Sequence, residues 1–171
     1  MVIADASVII VLAKMGRLKL LNVLYTEVVI GPVVKGEVVD KGKAIGAPEV
    51  AHVERALDDK WLRIAKLTAR EKGLAQRLLN TMSLDGGEAE SLALASSQKA
   101  MVLADDKEAR TVAGAMGIEH IGTAGVLLEA FVKGIISYEE LEKAVSELSS
   151  VMWLSPSVVA EILRKAREVR R

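Results

Sequence analysis

Apolar residues in this chain come in short bursts, each followed by a longer segment with helical spacing. "VIAD" (2–5) is the first burst, and a helix is predicted from about Ser7 to Gly16. "RLKLLNVLY" predicts a second short helix, and "EVVIG" (27–31) the next strand. Pro32 then suits the first turn of a helix, "PVVKGEVVD", because its fixed φ is already helical. "KGKAIGAPE" (41–49), rich in glycine and lysine, predicts a mobile loop. "VERALDD" reads as a short helix and "WLRIA" (61–65) as an edge-like strand, with no element assigned between 66 and 84.

The alternation then resumes. "GEAESLALASSQ" predicts a strong helix, "MVLA" a strand, "KEARTVAGAMG" a helix ending at Gly117, and "EHIG" (119–122) a strand. From about Thr123 onward "TAGVLLEAFVKG", "SYEELEKAVSELSS" and "SPSVVAEILRKAREVRR" are all helical. Strands alternating with helices predict an α/β sandwich on a mostly parallel sheet. The 171 residues fit one domain with a helical C-terminal segment, and no internal repeat is visible.

In such sheets ligands bind beyond the carboxyl ends of the strands. What the pattern places there is acidic. Asp5 ends the first strand, and Asp105 and Asp106 end the fourth. Glu88 opens the helix that feeds the fourth strand, and Glu37 lies in the helix after the second. Crowded carboxylates repel one another, and a divalent cation is the usual remedy. An all-oxygen ligand set suits Mg2+ or Mn2+ rather than zinc.

Each acidic residue also has a plain structural reading. Asp5 can cap the helix at Ser7, and Asp85 with Glu88 matches a D-x-x-E capping box. Asp105 and Glu108 have the same spacing. A cap needs one side chain, however, so the "DD" pair carries one aspartate in excess. Glu90 lies on a different helical face from Glu88, so only one of the two is expected at the metal.

Composition narrows the remaining classes. There are no cysteines, which removes disulfides, thiolate metal sites and a cysteine nucleophile and agrees with a reducing, cytoplasmic setting. The two histidines, His52 and His120, show no ligand spacing. Basic and acidic residues balance at 23 each, so any nucleic-acid contact must come from a local patch. The longest apolar run is far too short to span a bilayer. No G-x-G-x-x-G follows the first strand, which argues against a dinucleotide fold, and the acidic pair sits too late for a phosphoacceptor receiver. An apolar content of 51% suggests a homodimer.

The ordered motifs "DAS", "KGEVV", "GEAESLALA", "DDKEAR", "GTAGVL" and "WLSPSVVAEIL" resemble the PIN-domain family, in particular a prokaryotic subgroup related to VapC-type toxin ribonucleases. The resemblance spans almost the whole chain. It implies a three-layer α/β/α sandwich and a Mg2+- or Mn2+-dependent endoribonuclease acting on single-stranded RNA, with an antitoxin protein as partner if the chain is a toxin. The family's acidic residues carry over to Asp5, Glu37, Glu88, Asp105 and Asp106. Asp5, Glu88 and Asp106 are the expected metal ligands, although many relatives have aspartate where Glu88 stands. Ser7 is expected to orient Asp5, and Thr123 to line the same edge. A PIN-like metal-binding module with weak catalysis is the alternative.

Phosphate contacts require cations. Lys35, Lys41, Lys43 and Lys107 lie near the acidic positions, whereas Arg164, Lys165, Arg167, Arg170 and Arg171 read as a solvated helix end. Aromatic residues are few, so Trp61 and Trp153 are expected to pack rather than to contact bases.

Overall fold

A computed structural model describes residues 1–169 of the chain. Strands β1 (Val2–Ala4), β2 (Val28–Ile30), β3 (Leu62–Ile64), β4 (Met101–Leu103) and β5 (His120–Ile121) form one sheet in the order β3-β2-β1-β4-β5. All four pairings are parallel, with Val2 opposite both Val28 and Met101, and Ala4 opposite Leu103. β3 is an edge strand, as its pattern predicts, with Leu62 buried and Arg63 and Ile64 exposed.

Side-chain alternation sorts each strand between two helical layers. Val2, Ala4, Val28 and Ile30 face helices α1 (Ala6–Lys14), α2 (Lys19–Leu24), α5 (Val50–Asp58), α9 (Thr123–Val132) and α10 (Tyr138–Val151). Ile3, Val29, Val102 and Ala104 face α6 (Ala69–Thr81), α7 (Gly86–Gln98) and α8 (Lys107–Ala115). Strands buried on both faces read as continuous apolar runs, which is why "VIA" and "VVI" lack alternation. The result is the expected three-layer α/β/α sandwich. Helix α11 (Pro156–Val169) packs on α9 and α10. Among the described residues no helix is long and apolar enough to cross a membrane.

Three expectations need correction. The unassigned stretch contains α6, a helix of 13 residues that buries only Glu71, Ala75 and Leu78. So narrow a buried stripe leaves little apolar periodicity to read. Its start was legible nonetheless: Thr68 and Glu71 form a capping box, with Thr68 N donating to Glu71 Oε2 at 2.7 Å.

The loop expected at 41–49 is helical over its first part, to Ala44, and is turn and coil from Ile45 to Glu49. Helix α3 (Pro32–Lys35) continues through a π-helical turn, Gly36–Lys41, into α4 (Gly42–Ala44), and the chain reverses only at Gly46, where φ is +67°. Gly42 sits inside a helix that neighbouring elements support, whereas Gly46 makes the turn.

Trp153 was expected to pack, yet it is 82% exposed, whereas Trp61 is half-buried against the core. Met152 and Leu154, on either side of Trp153, pack inward. In an extended segment that alternation turns Trp153 outward.

Leu12 is fully buried beneath the sheet. Leu12→Ala is expected to cost about 2–5 kcal/mol in urea unfolding. Ile45→Ser, at a site 82% exposed, is expected to stay within about 0.5 kcal/mol.

Candidate metal centre at the carboxyl ends of the strands

From β1 the chain builds outward to β2 and β3 on one side, and β4 and β5 fill the other. The direction therefore switches between β1 and β4, and a crevice opens beyond their carboxyl ends. Asp5 follows β1 directly, and Asp105 and Asp106 follow β4 after Ala104. Asp5 N donates to Leu103 O at 2.9 Å, which joins the two strand ends.

Asp5 is buried and caps α1. Its Oδ2 accepts from Ser7 Oγ at 2.9 Å and from Ser7 N at 3.4 Å. Its Oδ1 is buried without a hydrogen-bond partner. Burial lifts the carboxyl above the ordinary range, although the bonds from Ser7 and Ala6 oppose the rise. Ser7 does more than orient Asp5. The same Oγ accepts from Asp105 N at 3.2 Å and so bridges the ends of β1 and β4.

Glu88 and Asp85 form the capping box of α7, each accepting the other's backbone N–H at 2.8 Å. Burial is the main cause that pushes Glu88 up to about 7, and the charges of Asp85, Asp106 and Asp5 add to it. Asp5, Asp85, Glu88 and Asp106 thus act as one electrostatic group. Asp85 was not among the candidate site residues, yet its charge acts on both Glu88 and Asp5. Its capping spacing was visible, but a cap and a site member can be the same side chain.

The D-x-x-E spacing from Asp105 does not make a cap. Helix α8 begins at Lys107, and the residue before it, Asp106, accepts from Ala109 N at 2.9 Å. Asp105 instead gives both carboxylate oxygens to Thr123, accepting from its N at 2.7 Å and its Oγ1 at 2.6 Å. A Cβ on Gly122 would stand 2.6 Å from Asp105 Oδ1, so glycine is what lets the carboxylate reach. The "GT" pair is therefore a clamp on the end of β4. Arg110 tightens it by donating to the carbonyls of Ala104 and Asp105.

Glu37 lies in the π-helical turn, a feature often found where a side chain is re-aimed for function. Its Oε2 is 3.0 Å from where a Cβ on Gly87 would stand, at the start of α7, and it pairs with Lys41 at 3.4 Å. Glu90 is committed elsewhere. It accepts from Val33 N at 2.9 Å, capping α3 where Gly31 has no side chain to do so. His52 is exposed, and His120 Nδ1 lies 3.1 Å from Ile118 O.

Residues 1–168 match the family of the PIN domain. The chain belongs to the PIN-domain family. No curated protein matches it. Its fold is thus of the nuclease type, and PIN nucleases commonly use divalent metals. The acidic group of this PIN domain fits such an ion: every donor is a carboxylate oxygen, Asp5 Oδ1 has no other partner, and Glu88 is crowded by negative charge. Among the described residues no three Asp, Glu or His side chains already enclose an ion, so rotation about side-chain bonds would have to close the ligand set.

The raised Glu88 affinity for a proton sets a pH dependence. The folded value, about 7, exceeds the ordinary 4.5. Protonation therefore favours the folded state below about pH 4.5, and that contribution is lost as pH rises through 7. Without divalent ions, the melting temperature at pH 8 relative to pH 5 should be lower in wild type than in Glu88→Gln. Glutamine keeps the capping bond. A difference on the order of 1 kcal/mol is expected after solvent screening, or ~2–4 °C.

Proposed function

We propose that this PIN domain is a Mg2+- or Mn2+-dependent endoribonuclease that hydrolyses phosphodiester bonds of single-stranded RNA. The observation that carries this reading is the gathering of Asp5 and Asp106 close enough to Glu88 at the switch point for their charges to act on it, with Asp5 Oδ1 buried and unpartnered. These three carboxylates are the metal ligands in this reading, and Asp85 adds charge beside them. A bound cation supplies Lewis acidity toward a phosphodiester oxygen and toward water.

The other residues serve that edge in different ways. Ser7 fixes the orientation of Asp5 through its hydroxyl. Asp105 is a positioning residue, because both its oxygens are held by Thr123. It anchors the end of β4 from which Asp106 reaches the group. Glu37, beside the N-terminus of α7, is the remaining carboxylate available to accept a proton or to enlarge the ligand set.

A toxin role, with an antitoxin peptide over the acidic edge, and a cytoplasmic homodimer belong to the same reading. Exposed aliphatic residues such as Ile45 and Val132 support a subunit contact. One observation favours the alternative of a weakly catalytic metal-binding module: Asp5, Asp85 and Asp106 are all engaged as helix caps. That module would bind metal without turnover.

Labelled single-stranded RNA incubated with Mn2+ or with EDTA decides between them. Cleavage is expected only with Mn2+, and Asp5→Asn or Asp106→Asn should slow it on the order of 100-fold. Equal cleavage in EDTA, or undiminished cleavage by Asp5→Asn, contradicts the reading.

A further inference from the structure

A single-stranded substrate needs cations for its phosphates, and most candidates near the acidic edge are already paired. Lys35 pairs with Asp40 at 2.6 Å, Lys41 with Glu37 at 3.4 Å, and Lys43 with Glu54. On α11, Arg164 pairs with Glu168 and Lys165 with Glu161, while Arg167 donates to the Tyr138 hydroxyl. Arg170 and Arg171 lie outside the described residues. Lys107 makes no ion pair among the described residues, and it opens α8 directly after Asp106.

Lys107 lines a cleft of about 370 Å³ together with Asp105, Arg110 and Trp153. One wall is thus the end of β4, beside the acidic group, and another is an exposed indole. The position of the indole is built rather than accidental. Met152 N is held by Leu148 O at 2.9 Å, and Ser155 Oγ accepts from Val158 N at the start of α11. Between these anchors Met152 and Leu154 are packed inward, so Trp153 projects outward.

We propose that Trp153 is a stacking platform for a nucleobase of the single-stranded substrate, with Lys107 contacting the adjoining phosphate. The proposal rests on the ribonuclease reading and names where the strand lies as it leaves the acidic edge. Stacking on an indole is tolerant of sequence, and a neighbouring cation adds backbone affinity. Charge selects this occupant over an apolar one. A nucleotide brings both a π face for the indole and a phosphate for the unpaired Lys107, whereas an apolar partner would strip water from that cation and offer it no anion.

The chain has two tryptophans, so Trp61→Phe leaves Trp153 as the sole indole emitter. In that protein, with Ca2+ present, a single-stranded RNA oligonucleotide should quench the emission saturably and shield it from iodide, and the matching duplex should do neither. In the otherwise wild-type chain, Trp153→Ala should weaken RNA binding about tenfold and raise KM with kcat little changed, and Trp153→Phe should restore most of the affinity. Absence of quenching, or unchanged affinity in Trp153→Ala, overturns the proposal. So does an indole already shielded from iodide in a dimer before RNA is added. Saturable quenching without cleavage in Mn2+ would sink the ribonuclease reading and leave the platform standing. Cleavage with an unchanged KM in Trp153→Ala would do the reverse.

Discussion

Four carboxylates gathered at the carboxyl ends of β1 and β4 repel one another, and the surrounding architecture holds them there. Three of the four, Asp5, Asp85 and Asp106, are N-caps of helices α1, α7 and α8. Glu88 completes the box with Asp85. Each helix N-terminus presents unsatisfied N–H groups and a partial positive charge, both of which favour a carboxylate. Convergent helix starts therefore offset part of the repulsion that the cluster creates. Each cap also contributes about 1 kcal/mol to its helix, so the residues that organise the fold locally are the ones that build the site. What the caps leave over is specific: the second oxygen of Asp5 has no partner, and Glu88 holds its proton to about pH 7.

Around this charged group lies a framework of neutral and cationic contacts. Ser7 links Asp5 to the backbone of Asp105, and Asp105 is clamped by Thr123 across the gap that Gly122 leaves. Arg110 closes the same turn from α8. The strand ends are thus fixed by bonds that do not consume the carboxylate oxygens of Glu88 or the free oxygen of Asp5. Glu90 shows the same economy on the other side of α7, where it supplies the cap that Gly31 cannot.

Much of this was legible in the sequence. Strand–helix alternation and unalternating apolar runs define a parallel sheet with both faces covered, and acids at strand ends fall at the crevice of such a sheet. The places where reading failed share a cause: local spacing does not reveal which of two roles a side chain takes. Asp85 was visible as a cap but not as a charge in the group. Asp105 had cap spacing, yet the helix starts one residue later, and Thr123, eighteen residues away, decides where its carboxylate goes. Glu37 was expected in the helix that follows β2, and it is there, but the π-helical turn that carries it leaves no mark in local spacing. Trp153 was expected to pack because aromatic residues are few, and only the inward packing of its neighbours turns it to solvent.

If the acidic group exists to hold a divalent cation, binding must displace the proton that burial, helped by the neighbouring charges, keeps on Glu88. Calorimetric titration of Mn2+ at pH 6.5, in two buffers of different ionisation enthalpy, measures both events at once. Saturable binding with proton release is predicted, and Asp5→Asn should abolish it. No saturable heat, or binding that Asp5→Asn leaves unchanged, would contradict the assignment of this edge as a metal centre.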